Sequence, residues 1–130
     1  MLAESAVKSV GDLGGLLDDL LDVTQSASTL GKPACGDIAE GKKTIPIMLL
    51  REGLNASELA RLDALRDATI GDDDREWITT RVEETGAREQ TETLAREYTN
   101  EALQHLAELP PSEYREAMEG LVEFVLVRAM

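Results

Sequence analysis

The sequence predicts an all-α protein, a helical bundle, and three observations carry that prediction. Apolar residues recur at helical spacing, as in Val10, Leu13, Leu16, Leu17, Leu20 and Leu21. No stretch alternates apolar and polar in the two-residue rhythm of a half-buried strand. Glycine, proline and cap-forming polar residues fall between the periodic stretches, where helices start and stop. No longer repeat is evident, so a solenoid is not indicated.

The first helix spans residues 4–24 and carries Asp18, Asp19 and Asp22. TQSAST at 24–29 is a polar break, and 30–42 reads as a loop marked by Gly31, Pro33, Gly36 and Gly41. KTIPIMLL opens a short apolar helix over 43–52, with Pro46 tolerated in its first turn and Gly53 as its stop. Asn55 and Glu58 form a capping box for NASELARLDALRDA, which places Leu59, Leu62 and Leu65 inward and ends at Gly71. Asp73 and Glu76 suggest the next cap, leading into DREWITTRVEETG, where Trp77, Ile78 and Val82 face the core. Gly86 interrupts. The longest helix then runs over 87–109, with Leu94, Tyr98, Ala102, Leu106 and Leu109 as its buried stripe. Pro110 and Pro111 end it, and Ser112 caps the last helix. There LVEFVLV is apolar nearly all round, which implies deep burial or a dimer contact.

A chain of 130 residues is large enough for one core. With 3% aromatic residues that core is aliphatic, and a net charge of −13 disfavours nucleic acid and anionic membrane surfaces as partners. The acid excess suggests adaptation to a salt-rich cytoplasm. Cys35 is the only cysteine, so an intrachain disulfide is impossible and a reducing compartment fits. The start MLAESAVK lacks the basic region and apolar core of a signal peptide, and no apolar run approaches a membrane span; a cytoplasmic location is expected. His105, among acidic neighbours, reads as a surface residue.

The stretch from Gly14 to Pro46 holds the chemistry. Asp18 and Asp22 stand one helical turn apart, and on a wheel they fall with Gly11, Gly14 and Gly15 on the side opposite the leucines, with Asp19 at its edge. Their mutual repulsion would be relieved by a divalent cation. Mg²⁺ is a hard ion that uses one or two carboxylates together with phosphate oxygens. Acidic residues number 26, so an acid-acid-x-x-acid pattern arises roughly once by chance in such a chain, and a solvated acidic face explains it equally well. The lysines add to the pattern. The chain has Lys8, Lys32, Lys42 and Lys43, three of them within twelve residues and flanked by Gly31, Gly36 and Gly41. Lysine is a compact point charge suited to phosphate oxygens.

LLDDLLDVT followed by LGKPACGDIAEGKKTIPIMLL resembles the second aspartate-rich region of the trans-isoprenyl (polyprenyl) diphosphate synthases. That family shows DDxxD, a GK element, then D…GK-T-P leading into a helix. Asp18, Asp19 and Asp22 match the acids; Gly31–Lys32, Asp37, Gly41–Lys42, Thr44 and Pro46 match the rest. Residues 85–128 also resemble the family's C-terminal helices. The resemblance makes residues 1–130 the C-terminal half of an isoprenoid-synthase domain, less than half of a typical member. It implies condensation of an allylic diphosphate with isopentenyl diphosphate. It further implies Mg²⁺ as cofactor on Asp18, Asp19 and Asp22, diphosphate binding by Lys32, Asp37 and Lys42, and catalytic charge compensation by Lys32 and Lys42. Gly14 and Gly15 stand where the family has Phe-Gln, and no second DDxxD cluster followed by arginines occurs in these 130 residues; DDDRE at Asp72–Glu76 reads as a helix start.

These departures keep other functions open. The chain is expected to bind isoprenoid diphosphates yet not to turn them over alone. It is expected to self-associate as a homo-oligomer or to pair with a chain supplying the N-terminal half. The alternatives are a non-catalytic helical partner subunit and an acidic helical interaction module without a ligand.

Overall fold

The computed structural model of the chain describes residues 2–24 and 35–129. Within them lie seven helices and no strand: α1 (Leu2–Thr24), α2 (Gly36–Glu40), α3 (Ile45–Glu52), α4 (Ala56–Asp63), α5 (Asp72–Glu84), α6 (Ala87–Ala107) and α7 (Glu113–Ala129). The all-α prediction holds. The polar break after Thr24 falls outside the described residues.

The chain forms two compact units, residues 19–91 and residues 1–18 with 92–130. The first has an aliphatic core. Leu20, Val23, Cys35, Ile38, Ile47, Leu50, Leu62, Leu65, Ile78 and Val82 are buried together, with Leu59, Ile70 and Trp77 half-buried against them. At about 25 cal/mol per Å² of apolar surface removed from water, each of the large aliphatic side chains contributes roughly 1.5–3 kcal/mol, so this cluster dominates the unit's stability.

Local sequence sets the element ends. Asn55 Oδ1 accepts the Glu58 amide (2.8 Å) and Glu58 Oε1 accepts the Asn55 amide (3.1 Å), completing the capping box of α4. Pro46 sits in the first turn of α3, where its missing N–H is harmless. Gly53 ends α3 for a reason the sequence does not show. Its φ of −91° is open to any residue. A Cβ there, however, would lie 2.7 Å from Thr85 Cβ, so α3 can lie against α5 only if this position has no side chain.

Several predicted boundaries shift. Residues 36–40 form a helical turn inside the predicted loop, entered through Cys35 and left through Gly41, both left-handed (φ 59° and 72°). Helix α4 stops at Asp63, short of Gly71. Asp67 adopts a left-handed conformation (φ 62°) and its amide donates to Ala39 O at 2.7 Å, which turns the chain back onto α2. The cap of α5 is Gly71, not Asp73; Asp72, Asp73 and Asp74 fill the first turn, where the helix dipole favours negative charge.

The second unit buries Val10, Leu13, Leu16 and Leu17 from α1, Ala95, Thr99, Ala102 and Leu106 from α6, and Val122 from α7. The seam of α6 differs from the predicted one. Small residues spaced mostly by four, Ala87, Thr91, Ala95 and Thr99, are buried, while Leu94, Tyr98 and Leu109 are half-buried. The threonine hydroxyls donate to carbonyls one turn back (Thr91 to Ala87, 2.7 Å; Thr99 to Ala95, 2.8 Å), so they enter the interior satisfied and polarity gives no warning of their burial. Ser112 Oγ accepts the Arg115 amide at the start of α7, as predicted. LVEFVLV is not deeply buried: Val122 is enclosed, but Phe124 and Val127 are 64% and 76% exposed.

Candidate functional site

Helix α1 carries all three acids of the motif, but their environments differ. Asp18 is exposed, Asp19 is half-buried and Asp22 is 1% exposed. The wheel placed Asp22 on a bare face. Instead, α2 folds over it: the Asp22 carboxylate accepts the Asp37 amide at 3.1 Å, and its backbone carbonyl accepts the Cys35 amide at 2.9 Å. A hydrogen bond to a buried charged group is worth about 1.5–3 kcal/mol, so this contact fixes where α2 begins. Gly11, Gly14, Gly15 and Asp18 follow the wheel. Added Cβ atoms at the three glycines meet nothing within 4 Å.

Downstream of α2, Asp37 and Lys42 meet. Lys42 Nζ lies 3.4 Å from Asp37 Oδ1 and 3.0 Å from Glu40 Oε2, and the Lys42 amide donates to Asp37 O. Bonds to Glu40 first, then Asp37, hold the Lys42 ammonium above the usual lysine range. The left-handed Gly41 reverses the chain so that Lys42 can reach back to both carboxylates. Thr44 occupies the N-cap of α3 without capping it, and its hydroxyl oxygen is buried with no hydrogen-bond partner among the described residues.

Asp22, Asp37 and Lys42 are therefore brought together. Lys32 lies outside the described residues. Among the described residues no three acidic, histidine or cysteine side chains gather into a group that could hold a metal ion by themselves. Asp18 is the exposed carboxylate of the motif, and Asp19, one residue on and turned about 100° away around the helix, is half-buried.

Cys35 and His105 complete the inventory. Cys35 is fully buried, and burial, with the nearby Asp22 charge, pushes its thiol up to about 12. It is a core residue, neither a loop thiol nor a nucleophile. His105 Nε2 lies 3.7 Å from Glu101 Oε1 on the half-exposed side of α6. Trp77 carries the Arg61 guanidinium 4.2 Å from its ring centre, a structural cation–π contact.

An all-helical chain with DDxxD on its first described helix and a GK-T-P turn behind it is a protein of the isoprenoid-synthase class, and comparison with known proteins bears this out. Residues 2–79 match the polyprenyl synthetase family model. The chain belongs to that family. It is 39% identical over 113 residues to a prenyl transferase of Cyanophora paradoxa, covering 87% of this chain and 34% of the relative. It is 35% identical over 120 residues to the all-trans-nonaprenyl-diphosphate synthase (geranyl-diphosphate specific) of Rhodobacter capsulatus, covering 91% and 36%. The polyprenyl synthase of Caulobacter crescentus CB15, solved with calcium and isoprenyl diphosphate, superposes with a TM-score of 0.83 at 29% identity, over 99% of this chain and 40% of that one. The chain spans about a third of the length of the curated relatives it matches. No helix among the described residues is long and apolar enough to cross a membrane.

Proposed function

We propose that this chain supplies the second acidic motif and the lysine segment of a polyprenyl diphosphate synthase, and that these bind an isoprenoid diphosphate through Mg²⁺. The observation that carries the reading is the buried hydrogen bond from the Asp37 amide to Asp22. It ties the end of the acidic helix to the turn that positions Asp37 and Lys42, so Asp22, Asp37 and Lys42 belong to one compact unit.

In this reading Asp18 holds the cation, Asp19 and Asp37 support it or its waters, and Asp22 anchors the turn at the foot of the motif. Lys42, and with it Lys32, compensates diphosphate charge. The buried, unpartnered Thr44 hydroxyl adds a polar group in the same segment that a bound oxyanion or its water could satisfy. Bound Mg²⁺ would neutralise the departing diphosphate. The relatives' reaction, prenyl transfer to isopentenyl diphosphate, needs charge compensation from two sides and exclusion of water from the carbocation. The 130 residues as they stand carry one acidic motif, so they bind without turning over; loss of even one charge-stabilising group costs about 10²–10³ in rate.

Calorimetry with Mg²⁺ and inorganic diphosphate tests the site. Binding is expected for the native sequence and is weakened at least tenfold by Asp18→Ala and by Lys42→Ala. Equal affinities in all three would remove the assignment. An assay with radiolabelled isopentenyl diphosphate, an allylic primer and Mg²⁺ should yield no product; product lost on Asp18→Ala would show that this chain is catalytically sufficient.

A second reading, a helical subunit that pairs with a copy of itself or with another synthase chain, is favoured by α7. Tyr114, Leu121, Phe124 and Val127 leave apolar surface exposed there, and such surface commonly marks a contact.

A further inference from the structure

The α2–α3 turn and helices α3 and α4 line an open pocket of about 320 Å³ whose walls include none of the acids of α1. Four cations reach its wall: Lys42, Lys43, Arg51 and Arg66. Ile47 and Leu62 contribute apolar floor, and Asp63 is the one carboxylate in its lining. In a chain of net charge −13 this is a local reversal of sign. Glu40 and Asp37 pair with Lys42, and Asp63 pairs with Arg51, so within the Debye length of about 8 Å the unbalanced charge an entering ion meets comes from Lys43 and Arg66.

The cations are not equally engaged. Lys42 is held by Glu40 and Asp37, and Arg51 is bound to Asp63 at 2.6 Å. Lys43 forms no ion pair among the described residues, and Arg66 acts on Asp63 only through the field between them, without a close ion pair; both lie at the cavity wall. Arg66 is also placed with care. The left-handed Asp67 and its 2.7 Å bond to Ala39 O bring the end of the α4–α5 connection back to α2. There the Arg66 side chain lies so close to Gly41 that a Cβ at Gly41 would stand 2.8 Å from Arg66 Nε. Two left-handed residues, Gly41 and Asp67, thus bring an exposed guanidinium over the α2–α3 turn, in the same lining as Lys43. A planar fork next to a point charge suits a tetrahedral oxyanion.

We propose that this cavity is an anion site separate from the acidic motif of α1, taking a phosphate group, free or as a monoester, without a divalent cation. Lys43 and Arg66 supply the charge, and Ile47 and Leu62 accommodate the apolar part of an ester.

The test is calorimetry of the folded chain in EDTA with inorganic phosphate and with phenyl phosphate at constant ionic strength. Both should bind. Lys43→Met and Arg66→Met should each weaken binding about tenfold, the effect of losing one charge-assisted contact, while Lys43→Arg retains it. Asp18→Ala, which disables the proposed metal motif, should leave phosphate affinity in EDTA unchanged, so failure of one site is distinguishable from failure of the other. Tighter binding of phenyl phosphate assigns the site to esters, and equal binding to the free ion. Absence of binding by both probes overturns the proposal. So does equal affinity in the methionine variants, with circular dichroism showing them folded, or phosphate binding that appears only with Mg²⁺ and is lost in Asp18→Ala.

Discussion

Cys35 shows how a residue's position overrides its type. In the sequence it is a lone thiol between glycines. In the structure it is the left-handed entrance to α2, sealed beside the buried Asp22 carboxylate. Burial is the chief cause that pushes its thiol up from the ordinary 9.0 to about 12. Between those values the unfolded chain has lost this proton and the folded chain keeps it, so the unfolded state binds fewer protons and stability falls as pH rises from about 9 to about 12. Melting curves at pH 8 and pH 10.5 should therefore diverge more for the native chain than for Cys35→Ala; equal divergence would mean the thiol is not enclosed. A thiol reagent at pH 8 should label the native chain far more slowly than the urea-unfolded one.

Elements were legible where their signals are local. The Asn55–Glu58 box needs only four residues, and it forms as written. Asn55→Ala should cost about 1 kcal/mol in urea unfolding, with Ser in its place largely restoring the loss. Pro46, Gly86 and Ser112 likewise act through their own backbone or the next turn. What the sequence concealed depends on partners far along the chain. Helix α2 exists because Asp22 accepts an amide fifteen residues away, and α4 ends early because Asp67 bonds to Ala39. The threonine seam of α6 looks polar until each hydroxyl is seen to bond its own helix. Motif and spacing single out the acids and lysines of the proposed site. They do not reveal the buried state of Asp22, because a helical wheel knows nothing of what folds over it.

At the scale of the whole molecule, charge governs. A chain at −13 repels itself when compact, and added salt screens that repulsion. Its thermal midpoint should rise between dilute buffer and molar KCl; an unchanged midpoint would count against adaptation to a salt-rich medium. The bare face of α1 has a different consequence. Each helical glycine costs about 0.8–1.0 kcal/mol relative to alanine, and at Gly11, Gly14 and Gly15 no neighbour would object to a methyl group. Considered as a mutational landscape, these positions leave stabilising single substitutions open to the chain. Alanine at each of the three is therefore expected to raise the chain's stability by about 0.5–1 kcal/mol in urea unfolding, a gain that folding left open and that the packing of α1 does not forbid.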